Sequence, residues 1–267
     1  MKRVCIFLFS GTGMTKYVVN KIRHEFGRKQ ISVDIYYIGD VIVQEIPFDV
    51  YDAIGIAYPV HAFNAPEIVI RFANELIKME PKRTFIVSTA GEDSIINLAS
   101  SKLLINILSK NGFDVYYDKQ FAMPSNFVVK CKEEKVKQLL DEVDDKVPNV
   151  VNELININFY RQEYNSIAAF LSFVGRMEWF GAKCAGKFFY TDDTCSHCGV
   201  CVDNCPNHNI IADRKQICFK WKCGLCMRCL YLCPNHSIRV RRPLRFICFD
   251  SWYDDIELQD MRKNKCL

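Results

Sequence analysis

Val4-Cys5-Ile6-Phe7-Leu8-Phe9-Ser10-Gly11-Thr12-Gly13-Met14-Thr15 decides the fold of the first part of the chain. Six apolar residues run without alternation, the pattern of a strand buried on both faces in a parallel sheet. A turn of small polar residues follows, and then Val18, Val19, Ile22 and Phe26 recur at helical spacing. Strand, turn and helix in that order place backbone N–H groups at a helix N-terminus, where the helix dipole favours an anion. The glycines let the main chain approach such a ligand, and Ser10, Thr12 and Thr15 add hydroxyl donors. A helix cap with a flexible turn is the competing reading, since Ser and Thr favour that as well. Two other phosphate loops are excluded. The dinucleotide fingerprint requires Gly where Lys16 stands, and no Gly-Lys-Ser/Thr triplet is present.

Outward from this stretch the alternation continues. Residues 31–38, 53–58, 85–89 and 113–121 read as further strands. Ile68, Val69, Phe72 and Leu76 mark one intervening helix, and Ile96, Ala99, Leu103 and Ile107 the next. A last helix begins near Lys132 and continues through Val136, Leu139, Leu140 and Val143, with Pro148 expected to kink or end it. Five strands between residues 4 and 121 predict an α/β fold. The expected form is a flavodoxin-like five-stranded doubly wound parallel sheet of order 2-1-3-4-5, with its ligand at the carboxyl ends of the strands.

The second half is organised differently. It reads Cys195-x2-Cys198-x2-Cys201-x3-Cys205-Pro206, then Cys223-x2-Cys226-x2-Cys229-x3-Cys233-Pro234. The two runs are an internal repeat of period 28, and Cys205-Pro206-Asn207-His208-Asn209-Ile210 is answered by Cys233-Pro234-Asn235-His236-Ser237-Ile238. This is the spacing of bacterial dicluster 4Fe-4S ferredoxins. Three thiolates on a short loop cap three irons of one cubane, while the fourth, a helical turn further on, projects away to the other cluster. Cys195, Cys198, Cys201 and Cys233 are therefore expected to hold one cluster, and Cys205, Cys223, Cys226 and Cys229 the second. Zinc would also use CxxC pairs, but it needs neither an overlapping second CxxC step nor a Pro after the fourth Cys. Disulfides at this density would mark a secreted chain.

Composition bounds the rest. A chain of 267 residues with 49% hydrophobic content has room for two domains with real cores. A formal charge of +4 gives no reason to expect a nucleic-acid partner. The basic run Arg239, Arg241, Arg242 and Arg245 reads either as a solvated edge or as a docking patch for an acidic redox partner. Met1-Lys2-Arg3 opens no signal peptide, because Ser10-Gly11-Thr12-Gly13 stands where a longer apolar region is needed. The apolar stretch 167–180 is interrupted by Arg176 and Glu178 and is too short to span a bilayer. A cytoplasmic location without a membrane span is expected.

On these motifs the chain resembles the flavodoxin–ferredoxin fusion proteins found mainly in anaerobic bacteria and archaea, over roughly residues 1 to 245. Ser10-Gly11-Thr12-Gly13-Met14-Thr15 resembles that family's FMN phosphate loop. Tyr58-Pro59-Val60-His61-Ala62-Phe63-Asn64-Ala65-Pro66 resembles the second flavin loop, and Thr89-Ala90-Gly91-Glu92 stands where a third would be. Many flavodoxins stack an aromatic on each side of the flavin; here the third loop offers none, leaving Tyr58 or Phe63 to cover one face. Met123-Pro124-Ser125-Asn126 lies on the same rim, as a plain turn or a contact to the flavin edge. The resemblance implies an FMN domain over 1–156, a small α+β dicluster ferredoxin domain over 186–246 and a tail over 247–267. Residues 157–185, rich in Phe, Ile and Trp, are expected to be a partly helical connector packed between the domains.

Two one-electron clusters and one FMN imply electron transfer between one-electron carriers and the flavin. A soluble redox protein is the expected donor or acceptor, and a homo-oligomer is compatible with the sequence. A flavin-dependent reductase of a small organic acceptor is the second reading, and a redox sensor that contacts nucleic acid the third.

Overall fold

The computed structural model describes all residues except 77–80, 92–94, 126–130, 214–215, 243 and 245–267. Its first part is built from β1 (Arg3–Leu8), α1 (Met14–Arg28), β2 (Ser32–Tyr37), β3 (Ala53–Pro59), α2 (Glu67–Glu75), β4 (Lys82–Ala90), α3 (Lys102–Lys110), β5 (Phe113–Ala122) and α4 (Glu133–Ile155). The five strands form one parallel sheet in the order β2-β1-β3-β4-β5, which is the flavodoxin-like order. The unbroken apolar runs in β1 and β3 follow from burial on both sides. Val4, Ile6 and Leu8 pack in one core with Val18, Ile22 and α4, while Cys5, Phe7 and Phe9 join Val69, Phe72, Leu104 and Leu108 on the other face.

Helix α4 continues through Pro148 to Ile155, so of the two outcomes expected there, a kink or an end, the end does not occur. Proline deletes one N–H donor. The apolar stripe Val143, Val147, Val150, Val151 and Leu154 nevertheless stays buried on both sides of it, so tertiary burial overrides local propensity.

The connector contains α5 (Ser166–Gly175) and α6 (Glu178–Ala185). Apolar content alone does not decide which of its side chains are covered. Small residues, Ala168, Ser172, Ala182 and Ala185, face inward. Trp179 packs against the core of the sheet, while other large residues point to solvent, with Phe170 at 64%, Phe173 at 65%, Met177 at 75% and Phe180 at 74% exposure.

The last part consists of β6 (Phe189–Thr191), α7 (Val200–Asp203), β7 (Ile210–Asp213), β8 (Gln216–Phe219), α8 (Arg228–Leu232) and β9 (Ile238–Val240). β6 pairs antiparallel with β9, and β7 with β8. The sequence repeat is a structural repeat. Left-handed residues recur 28 positions apart, at His197 (φ 56°) and Leu225 (46°), Gly199 (80°) and Met227 (58°), and His208 (48°) and His236 (49°). No helix among the described residues is long and apolar enough to cross a membrane.

Candidate functional site

A cavity of about 520 Å³ opens at the carboxyl ends of the parallel strands. Ser10, Gly11, Thr12, Met14 and Thr15 line one side, Pro59, Val60, His61, Ala62 and Phe63 the second, and Thr89, Ala90 and Gly91 the third. All three expected loops therefore meet in one place. Gly13, Tyr58 and Asn64 do not line it. Gly13 caps α1 at φ 101°, Tyr58 is wholly buried in the core, and Asn64 turns its amide inward. Tyr58 is thus removed as an aromatic cover, and Phe63 remains. Met123, Pro124 and Ser125 also line the cavity, whereas Glu92 and Asn126 lie outside the described residues.

Hydrogen bonds tie the loops together. The hydroxyls of Thr15 and Thr89 are 2.9 Å apart, and Val60 N–H donates to the Thr89 carbonyl at 2.7 Å. The second loop is a tight turn in which His61 and Asn64 exchange backbone hydrogen bonds of 2.9 and 2.8 Å. Its central residues, Ala62 (φ 41°) and Phe63 (φ 64°), both lie in the left-handed region. Neither is glycine, so the turn stores strain of about 1–3 kcal/mol per residue. Helix α5 holds it in place. Asn64 Nδ2 donates to the Ser172 carbonyl at 2.7 Å, and Ser172 Oγ donates to Asn64 Oδ1 at 2.8 Å. Sequence reading missed this clamp, because Asn64 and Ser172 lie 108 residues apart.

The electrostatics suit an anion met by main chain. Among the described residues no Lys or Arg lines the cavity, and the first turn of α1 carries no acidic residue. His61 packs edge-on against Phe9 at 6.4 Å, and burial pushes its imidazole down to about 4, so it is neutral at pH 7. Glu178, from α6, also borders the cavity; burial, with Glu67 adding, pushes its carboxyl up to about 7. Nothing in the sequence pointed to Glu178.

The fourth wall comes from the cysteine-rich part: Leu225, Cys226 and Met227. The approach is close. A Cβ added to Gly11 would lie 2.0 Å from the Cys226 carbonyl oxygen. Beside it, Arg228 donates from Nε and Nη2 to the Ser10 carbonyl at 3.2 and 2.9 Å and lies over the Phe9 ring at 5.6 Å.

Cys195, Cys198, Cys201 and Cys233 border one small hollow, and Cys205, Cys223, Cys226 and Cys229 border another. Burial pushes the Cys201 thiol up to about 11, and the neighbouring sulfurs of Cys233, Cys195 and Cys198 add to it. Cys229 is raised well above the usual thiol range by burial, then by Cys226, Cys223 and Cys205, with Cys201 last. Backbone N–H groups address the sulfurs in matching positions, Asn209 to Cys205 at 3.2 Å and Ser237 to Cys233 at 3.2 Å, and Leu225 donates to Cys223 at 3.4 Å. No three His, Cys, Asp or Glu side chains among the described residues converge closely enough to hold a single metal ion. Cys198 is exposed, whereas Cys223, Cys226 and Cys229 are partly covered. Two of the arginines expected to form a basic patch are engaged locally, Arg239 with Asp192 at 3.0 Å and Arg241 over the Tyr190 ring at 5.3 Å.

No protein-family model matches the chain, and no curated protein does. Among solved structures it is similar to a flavodoxin from the domain Archaea, at 14% identity and TM-score 0.36, covering 57% of this chain and 99% of that one. It is similar to general stress protein 14 from Treponema denticola in complex with FMN, at 10% identity and TM-score 0.44, covering 59% and 100%. A third is oxidised flavodoxin 2 from Bacillus cereus, at 11% identity and TM-score 0.42, covering 58% and 99%. The assignment of the first part to the flavodoxin-like fold rests on the strand order, to which likenesses at this level add nothing.

Proposed function

We propose that this chain is an electron-transfer protein that holds FMN in the strand-end cavity and two 4Fe-4S clusters in the cysteine repeat. The observation that carries the reading is the shared wall. The three loops expected to hold a flavin and the Leu225–Met227 segment of the second cysteine loop bound the same cavity.

The residues present suit both groups. A cavity of about 520 Å³ with a largely apolar lining and backbone donors at one end falls within the range of cofactor sites. Ser10, Thr12 and Thr15, with the N-terminus of α1, would hold the phosphate. Phe63 would cover one face of the ring system. For the clusters, the two sulfur groups are each gathered from both halves of the repeat. A single zinc ion would require four donors converging at about 2.0–2.3 Å; a cubane spreads its thiolates around a larger cage. Backbone N–H groups aimed at Sγ stabilise thiolate charge and tune cluster potential.

FMN, when bound, accepts one or two electrons, and each cluster one. The chain's own contribution is position. The exposed Cys198 side faces a soluble redox partner, while Cys226 sits against the phosphate loop. One observation favours a reductase as the second reading: Thr89, Ala90 and Gly91 offer no aromatic cover, leaving room for a small acceptor.

The test is anaerobic purification with iron, sulfide and flavin quantified, followed by stepwise reduction read by absorbance and EPR. About eight irons, eight sulfides and one FMN per chain are expected. Colourless protein that holds zinc and no flavin overturns the reading. Rapid turnover with quinones in the absence of any protein partner would move the assignment to the reductase.

A further inference from the structure

The two halves of the cysteine repeat match closely in backbone, and one buried position breaks the match. Cys198 corresponds to Cys226, Gly199 to Met227, and Val200 to Arg228, each pair 28 residues apart. Val200 is half-buried and neutral. Arg228 is 4% exposed and starts α8 just as Val200 starts α7.

Three features make Arg228 more than a docking contact. Its Nε and Nη2 serve the Ser10 carbonyl, but Nη1 is buried without a hydrogen-bond partner. Leaving a guanidinium N–H unpaired in the interior is costly. Arg228 also borders the hollow ringed by Cys205, Cys223, Cys226 and Cys229. Finally, no carboxylate pairs with it, so its positive charge is uncompensated among the described residues.

We propose that Arg228 makes the two clusters electrically unequal, raising the potential of the one beside the flavin loop above that of the other. The inference rests on the cofactor set given under Proposed function. An added electron is an added negative charge, and a fixed buried cation stabilises it more than water-screened charges do. The opposing group is Glu178, whose field reaches Cys223 but whose side chain is only half-buried. Around the other sulfur group Cys198 is open to solvent, which screens the neighbouring charges, among them the Asp192–Arg239 ion pair. Arg228 acts here as a positioning residue that gives the wire a direction, with the added electron resting on the flavin side.

The test uses the full chain, purified anaerobically, in a stepwise reductive titration with dithionite. The wild type is expected to show two separated one-electron cluster waves. Arg228→Gln, which keeps a side-chain N–H donor without the charge, should lower the upper wave alone and narrow the gap at least tenfold in electron distribution, about 59 mV for a one-electron couple. Arg228→Lys should keep the gap. A single unsplit wave in the wild type, or equal gaps in the Gln and Lys variants, overturns the proposal. Should Arg228→Gln fail to hold iron, Val200→Lys decides: a narrowed gap supports the proposal, and an unchanged one overturns it. Wild-type protein lacking iron and flavin would instead refute the cofactor reading itself.

Discussion

Gly11→Ala tests the contact on which the arrangement of the two parts depends. The added methyl carbon would lie 2.0 Å from the Cys226 oxygen and 3.0 Å from its carbonyl carbon. A relaxed carbon–oxygen contact is about 3.3 Å or more, so the loops must part by roughly 1.3 Å. The obstructing atoms are main chain and cannot rotate aside. Overpacking of this kind costs about 1–3 kcal/mol. At about 2–4 °C per kcal/mol for a domain of this size, the melting temperature should fall by roughly 2–12 °C. The assay is thermal denaturation of flavin-free protein, so that the shift reports the clash and not a lost ligand; flavin affinity is then measured separately. Gly27→Ala is the control, because nothing lies within 4 Å of a Cβ there, and it should gain up to about 1 kcal/mol from helix propensity. If Gly11→Ala melts with the wild type and binds FMN equally well, the phosphate loop does not rest on Cys226.

Asn64→Ala removes both side-chain bonds to Ser172; a loss of about 1–3 kcal/mol and weaker flavin binding are expected, read by denaturant unfolding and flavin titration. Asp118 is buried and bonded by Ser101, and burial raises its carboxyl to about 6 from 3.8. Between those values the folded state holds more protons than the unfolded one, so stability from this group falls as pH rises from 3.8 to 6, by about 3 kcal/mol. Asp118→Asn should abolish that part of the pH dependence in unfolding measured from pH 4 to 8; an unchanged profile refutes the assignment. Cys205→Ser should lose the same EPR signal as Cys226→Ser, and Cys233→Ser the same as Cys201→Ser. Loss of one signal by Cys205→Ser and Cys201→Ser together would refute the crossed ligation.

The parallel sheet was legible in the sequence, because it follows from the spacing of apolar runs along the chain, and so was the doubled cysteine loop. Continuous apolar runs in β1 and β3 signal burial on both faces, and a three-residue step between cysteines gathers them on one loop whatever surrounds it. Local logic left a kink or an end open at Pro148, and burial of Val143, Val147 and Val151 carries the helix past the missing hydrogen bond. Along α5 and α6 apolar content does not tell which side chains are covered: Ala168, Ser172, Ala182 and Trp179 face inward, while Phe170, Phe173, Met177 and Phe180 face water.

What the amino-acid order determined by itself is which pieces exist: a turn of small polar residues on a strand end, and a doubled cysteine loop. Only the tertiary structure decided that these pieces touch. Arg228 reaches Ser10 across 218 residues, and Ser172 clamps Asn64 across 108. No periodicity encodes such contacts, because they depend on how whole elements dock and not on the spacing within any one of them.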